Sequence, residues 1–503
     1  MKLDTGTELP EKFVLTKEFK DTYDLINKTD TNLFITGKAG SGKSTLLEYF
    51  RQNTNKNFAI LAFQGITAIK AKGQTIHSFF KLGPHFLSKD DVKELRDKQV
   101  IQNLDTILID EISMVRADLF DSIDLSLKKN RNNEKPFGGV QMVLFGDVMQ
   151  IDPIVGSDDE VMEKFYPNGP FFFNSKSYSK KDFKQIELTK IFRQSDKKFV
   201  NLLNKIRMNK LQNEDLSILN KQLIKSDEVT KDTIILAPTN RKVDDINNTN
   251  LYKLTTPTFN YNAIIKGSWK DKEHPVKKEI VLKVGAQVMI TKNDTEDPKR
   301  WVNGTLGIIT FLSKDQIKIK IKNKIFSLGK TKWDKYNYKF SGNKVNAFSV
   351  GSFIQFPLKL AWATTIHKSQ GQTFDNVSID LDTGSFAHGQ TYVALSRAKS
   401  LEGISLLKKI QKKDIIFDAR VLEFIGQKLE NKYISEILKN APKSKKRIMP
   451  KSTKSDNNEW TTSDDNKLLA LYKRNVPEFA LAKILRKSIT QIRERIMYLM
   501  KNN

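Results

Sequence analysis

The chain of 503 residues contains no cysteine, so no disulfide framework, thiolate zinc site or cysteine-held iron–sulfur cluster can be drawn from it. Its five histidines, His77, His85, His274, His367 and His388, are scattered. No run of about 18 apolar residues occurs, which argues against a membrane-spanning helix, and Met1-Lys2-Leu3-Asp4 lacks the charged-then-apolar start of a secretory signal. A cytoplasmic or otherwise intracellular, nucleoid-associated protein with no membrane partner is expected. No internal repeat is present. Acidic side chains are outnumbered, 58 against 85 Lys and Arg, and the formal net charge of +27 favours a polyanionic partner. Lysine enrichment also follows from AT-rich coding, so charge alone does not name that partner. The length exceeds one ordinary core, and two large domains with smaller modules are expected.

Against these absences stands one strong pattern. Gly37-Lys38-Ala39-Gly40-Ser41-Gly42-Lys43-Ser44 fits G-x-x-x-x-G-K-[ST], placed after the apolar run Leu33-Phe34-Ile35 and before the helix-like stretch from Thr45 to Phe50. Strand, loop and helix in this order form a phosphate cradle: glycines let backbone N–H groups converge and the helix start adds its positive end. Lys43 then reaches the β- and γ-phosphates of a nucleoside triphosphate, and Ser44 the Mg²⁺.

Further apolar runs, Phe58 to Leu61, Thr106 to Ile109, Val140 to Leu144 and Thr233 to Leu236, alternate with helix-like stretches, the signature of parallel sheets buried on both faces. Asp110 and Glu111 follow the second of these runs, at the strand end where open α/β sheets place ligands. One carboxylate there serves the metal and its neighbour orients a water. Gln150, in Gly146-Asp147-Val148-Met149-Gln150, either contacts a γ-phosphate or is a polar turn residue. Arg193 and Arg397 lie in mainly uncharged settings, and either stabilise a transferring phosphate or make ordinary surface contacts.

Ile317 to Lys322 alternates apolar with lysine, which reads as an antiparallel strand within a small β insertion at about 310–356. Its lysines face either a phosphate backbone or plain solvent. A basic Pro/Lys/Ser-rich linker occupies 436–459. Residues 460–503 read as three short helices, free to contact duplex DNA, to dock a protein or simply to pack on one another.

Taken in order, G-K-A-G-S-G-K-S, G-Q-T-I-H-S-F-F (73–80), L-I-D-E-I-S-M-V (108–115), P-F-G-G-V-Q (136–141), G-D-V-M-Q-I-D-P (146–153), F-R-Q (192–194), A-P-T-N (237–240), V-N-G-T-L-G (302–307), T-I-H-K-S-Q-G-Q-T-F (365–374) and Y-V-A-L-S-R-A (392–398) resemble the motifs of the petite-integration-frequency (Pif-type) DNA helicases of superfamily 1B, beside RecD and the phage Dda enzyme. The resemblance covers roughly residues 10 to 410. It implies an α/β fold of two RecA-like P-loop NTPase domains with parallel sheets, at 1–185 and 186–435, and a strand-separating wedge at about 80–103. It also makes the β insertion SH3-like, and 460–503 resembles a Myb or helix-turn-helix module.

The resemblance further implies ATP and Mg²⁺ as cofactors, with Gly37, Gly40, Ser41, Gly42, Lys43, Ser44 and Thr45 around the phosphates. Ser44 and Asp110 serve the metal, Glu111 the water, and Gln150, Arg193 and Arg397 the γ-phosphate. His77, Ser78, Thr365, His367, Lys368 and Gln370 are implied to contact single-stranded DNA. The implied activity is 5′-to-3′ unwinding of tailed duplexes by a monomer, with a partner-remodelling ATPase or a RecD-like nuclease subunit as alternatives. Two departures stand out. Phe19 follows Leu15-Thr16-Lys17-Glu18 where the family has an adenine-reading Gln, and Ala62-Phe63-Gln64-Gly65 replaces the family's A-P-T-G.

Overall fold

The computed structural model describes residues 13, 15–155, 158–179, 182–192, 196–230, 233–267, 269–296, 299–382 and 384–426, and farther on Asp465, Leu468, Arg495 and Leu499. Six parallel strands form the first sheet, in the edge-to-edge order Gln74–Thr75, Phe58–Ala62, Thr106–Asp110, Gln141–Phe145, Asn32–Gly37 and Phe183–Leu188. Its central strands are apolar on both faces because helices cover both sides. Ala59 to Leu61, Ile107 to Ile109 and Met142 to Phe145 are buried throughout. The last strand continues to Leu188, so the first domain extends past the expected boundary at 185: six register pairs, from Asn32↔Phe183 to Gly37↔Leu188, tie it to the central strand.

A second parallel sheet, ordered Ala363–Thr365, Ile234–Ala237, Val377–Ile379 and Ile404–Leu406, carries its own core, including Phe199, Leu203, Leu236 and Val393. Parallel strands need crossovers, and the one between Ala237 and Ala363 is very long. It includes the helix Asn240–Lys253 and then antiparallel strands from Thr258 to Leu360, which share a separate core built on Ile280, Leu282, Ile309, Ile319, Trp333 and Phe353. This β region is wider than the expected 310–356, because strands as early as Ile264–Gly267 and Gln287–Ile290 pair into it. Ile317–Ile321 alternates buried isoleucines with outward lysines, as its sequence pattern predicts.

Two elements join the domains. The helix Ala419–Phe424 follows the second sheet in sequence, within the expected second domain, yet packs on the first. Phe424 stacks on Phe173 at 4.1 Å and meets Phe34 at 5.7 Å, because the first domain's aromatic cluster leaves a face for one more ring. The long hairpin Thr331–Ser341 and Lys344–Gln355 reaches the first sheet's edge. There the Tyr338 hydroxyl accepts from Ile60 N–H at 2.8 Å and donates to Ile60 C=O at 3.3 Å.

The chain divides after Lys428 into a second unit, residues 429–503. The linker and C-terminal module lie outside the described residues but for four positions. Among these, Asp465 holds Arg495 through two hydrogen bonds of 2.7 Å, and Leu468 is buried. Among the described residues no helix is long and apolar enough to cross a membrane.

Candidate nucleotide site and strand-facing groove

The strand Asn32–Gly37 feeds a loop in which Gly37, Gly40 and Gly42 have φ of 155°, 81° and 88°, values an L side chain rarely adopts. Gly42 caps the helix Lys43–Asn53 with no side-chain bond, which leaves first-turn N–H groups for an anion. Lys43 Nζ donates to Gly37 C=O at 2.6 Å and Lys38 C=O at 3.3 Å. Burial lowers its pKa, while the charges of Asp147, Glu111 and Asp110 oppose the shift. Ser41 Oγ is buried with no hydrogen-bond partner. Ser44 is exposed at the mouth and Thr45 half-buried beside it. Phe19 lies against the loop: a Cβ on Gly42 would fall 2.7 Å from its ring and 3.5 Å from that of Phe192.

Facing the loop, Asp110 ends its strand and Glu111 turns into the left-handed region at φ 54°, the kind of strained backbone that functional sites retain. Burial, then the charge of Glu111, pushes Asp110 up to about 7. Burial raises Glu111 as well, against the pull of Lys43 and Arg397. Two crowded carboxylates beside a cationic loop form a place where a divalent cation relieves repulsion.

Gln150 is buried. Its Nε2 reaches Asp147 Oδ2 at 3.4 Å, and its Oε1 receives Gln370 Nε2 from the second domain at 3.5 Å, the outer edge of a hydrogen bond. Arg397 is 1% exposed. It donates to Val393 C=O at 2.9 Å, Ser396 Oγ at 2.8 Å, Ser369 C=O at 3.2 Å and Gln372 C=O at 3.3 Å. The charge of this guanidinium is felt by Glu111, whose pKa it pulls down. Arg193 lies outside the described residues.

Three participants escape the sequence reading. The Tyr392 hydroxyl accepts from the loop's Ala39 N–H at 3.4 Å, so the second domain touches the phosphate cradle directly. Asp147 and Arg207 form a buried ion pair of 2.9 Å across the domains. Asp147 and Tyr392 stand inside motifs already quoted; Arg207 has no local signal, and only its partner reveals it.

The residues expected to contact a strand are divided between the two domains. His77 is half-buried with its ring edge on Phe63 at 5.6 Å, and burial, then the charge of Arg116, keeps it below its ordinary pKa. Ser78 Oγ accepts from Gln74 Nε2 at 3.0 Å. It lines a crevice shared with Trp269, Lys335 and Tyr336 of the β region. On the second domain Thr365 Oγ1 accepts from Lys368 N–H at 3.2 Å, Lys368 Nζ reaches Asn240 Oδ1 at 3.0 Å, and burial lowers His367. Gln370, another expected strand residue, reaches toward Gln150. Lys359, unannounced by any motif, stands within electrostatic reach of Lys70 and Lys368. Burial, then the charges of Lys70 and Lys368, brings its pKa down to about 8.

Fold and site together define a P-loop nucleotide-binding protein of two RecA-like domains, with its phosphate cradle on one and an arginine on the other. The sequence pattern of PIF1-like helicases matches residues 14–217, and that of the UvrD-like helicase C-terminal domain matches 360–401. The chain is 31% identical to the ATP-dependent DNA helicase Pif1 of Bdellovibrio bacteriovorus over 425 residues, 82% of this chain and 92% of that one. It belongs to the PIF1-like helicase family.

With the zebrafish (Danio rerio) ATP-dependent DNA helicase PIF1 it shares 32% identity over 428 residues, 79% of this chain, but spans only 64% of that protein's length. Unliganded Pif1 from Bacteroides sp. matches with a TM-score of 0.75 at 36% identity, covering 82% of this chain and 97% of that one. Bacteroides Pif1 bound to ssDNA, also at 36% identity and covering 84% and 98%, gives 0.61. The Bacteroides sp. complex with ADP-AlF4 gives 0.76 at 36% identity, covering 84% and 98%, so the arrangement described here is closer to the unliganded and ADP-AlF4 forms than to the ssDNA-bound one.

Proposed function

We propose that the chain is an ATP-dependent DNA helicase that moves 5′-to-3′ along single-stranded DNA and unwinds tailed duplexes. The observation that carries this reading is the composition of the cleft: Lys43, Asp110, Glu111 and Gln150 on one domain meet Tyr392, Gln370 and Arg397 some 220 to 350 residues later on the other. A phosphate held by one domain and sensed by another converts hydrolysis into domain movement.

The cleft's chemistry suits ATP and Mg²⁺. The glycine cradle, the unpartnered buried Ser41 hydroxyl and Lys43 fit a triphosphate, with Gly37, Gly40, Gly42 and Thr45 around it. Ser44 and Asp110 offer two hard oxygens. Among the described residues no group of three or more His, Asp or Glu gathers to hold a metal alone, which suits Mg²⁺ arriving with phosphate and water ligands. Bound there, Mg²⁺ supplies charge neutralisation at the phosphates. Glu111 orients the attacking water, Gln150 reads the γ-phosphate, and Arg397 with Arg193 supplies positive charge as the domains close.

His77, Ser78, Thr365, His367 and Lys368 grip the strand, mainly through its backbone, and the charge of Lys368 favours a polyanion. Gln370 couples that grip to Gln150. The β region acts as an SH3-like module inserted in the second domain, residues 80–103 as the wedge, and 460–503 as a Myb-like contact for DNA or protein. The working form is a monomer. Forked duplexes with only a 5′ or only a 3′ tail test the reading. Unwinding is expected from the 5′ tail, and unwinding from the 3′ tail alone overturns the polarity. Strand-stimulated hydrolysis with no unwinding from either favours a partner-remodelling ATPase. Lys43→Ala should abolish hydrolysis while keeping strand binding; retained hydrolysis overturns the site.

A further inference from the structure

One carboxylate fixes the turn that carries Gln150. Asp147 Oδ1 accepts from Met149 N–H at 3.1 Å and from Arg207 Nη2 at 2.9 Å, and its Oδ2 receives Gln150 Nε2 at 3.4 Å. Asp147 is fully buried and Arg207 only 8% exposed. So deep a pair is weak as a source of stability, because the loss of hydration of both ions offsets most of their attraction. Arg207 Nε, also buried, has no partner among the described residues.

The partners belong to different domains. Arg207 ends the helix Lys197–Arg207, whose Phe199, Leu202, Leu203 and Ile206 pack into the second domain's core, so the guanidinium moves with that domain. Gly389, which begins the helix Gln390–Leu395, presses on the same turn: a Cβ there would fall 2.6 Å from the carbonyl oxygens of both Met149 and Gln150. The second domain therefore holds the Gln150 turn from two sides, one of them electrostatic.

We propose that Arg207 is a positioning residue for ATP hydrolysis: through Asp147 it sets Gln150 according to where the second domain stands. The proposal rests on the reading of this cleft as an ATP hydrolase. It separates Arg207 from Arg397, since Arg207 acts through a first-domain carboxylate and need not touch phosphate.

The test measures steady-state hydrolysis of Mg²⁺·ATP with saturating oligo-dT, and melting temperature, for the wild type, Arg207→Met and the double variant Asp147→Asn/Arg207→Met. Arg207→Met strands a buried carboxylate and should melt earlier; the double variant removes that charge and should melt near the wild type. In both variants kcat should fall about 100-fold with KM for ATP within about threefold, the signature of an interaction needed for the chemical step rather than for binding. Recovery of kcat together with melting temperature in the double variant would make the pair structural and overturn the proposal. So would a kcat within about threefold of wild type in Arg207→Met. A wild type that hydrolyses no ATP would overturn the functional reading itself, a result distinct from either.

Discussion

Tyr338→Phe removes one oxygen and nothing else from the contact between the long hairpin and the first sheet. The strand Gln74–Thr75 is only two residues long and pairs with Leu61 and Ala62, so its register stops short of Ile60, whose N–H takes another acceptor. The Tyr338 hydroxyl supplies it, taking the Ile60 N–H at 2.8 Å and returning a hydrogen bond to the carbonyl at 3.3 Å, while its ring meets Phe79 at 5.8 Å. Phenylalanine keeps the ring and strands the N–H, at a cost of about 1 to 2 kcal/mol. That cost falls on the arrangement described here and not on one in which the hairpin has left Ile60.

If strand binding requires the hairpin to leave, the loss weakens the competing state, and affinity for single-stranded DNA rises by up to about thirtyfold, since about 1.4 kcal/mol is one decade. Fluorescence anisotropy with a labelled oligo-dT at fixed salt measures this, with melting temperature recorded alongside. A lower melting temperature with unchanged or weaker strand affinity would refute the reasoning, because the hydrogen bond would then survive in the DNA-bound form.

Other consequences follow from single groups. Lys359→Met should reduce the salt slope of strand binding by about 0.7, one phosphate contact. Because the free protein holds Lys359 at about 8 and a phosphate would raise it, wild-type affinity should fall as pH rises above 8, and the variant's should not; equal pH dependence counts against the contact. Phe192, half-exposed beside the phosphate loop with Lys190 Nζ 5.2 Å from its ring centre, offers a stacking face to a nucleobase. Phe192→Ala should raise KM about tenfold for ATP and GTP alike, as a ring face reads no base edge; a fall in kcat at constant KM would refute this.

Burial, then the charge of Asp418, pushes Asp152 up to about 8 from 3.8. Between those values the unfolded chain has released a proton that the folded chain keeps, so stability falls as pH rises. The gain in melting temperature from Asp152→Asn should therefore be larger at pH 8 than at pH 5.5. His388, which burial holds down at about 4, and Arg420 are unchanged in the variant. An equal gain at both pH values would show that Asp152 is ionised in the fold.

The phosphate loop and the Asp110–Glu111 pair were legible because each is a local device. Glycines, a lysine and a strand end act within a few residues of one another, and the apolar strands that place them depend on period and composition alone. Ile317–Ile321 was legible for the same reason. The limits of the β region were not, since Gln287–Ile290 is equally apolar and only its antiparallel partners assign it to that sheet. Nor was the home of Ala419–Phe424, whose Phe424 is an ordinary apolar residue until Phe173 lies against it.

The residue pattern alone pointed to a phosphate cradle, with Lys43 and its neighbouring hydroxyls as the expected ligands, and the family resemblance added an expected arginine far downstream. How the two domains touch is a property of the folded chain alone. Arg207 meets Asp147 across 60 positions, Tyr392 meets Ala39 across 353, and Tyr338 meets Ile60 across 278. The reason is physical: a phosphate site is built from backbone conformations that nearby residues fix, whereas coupling between domains is built from contacts that exist once two separate cores have formed and docked.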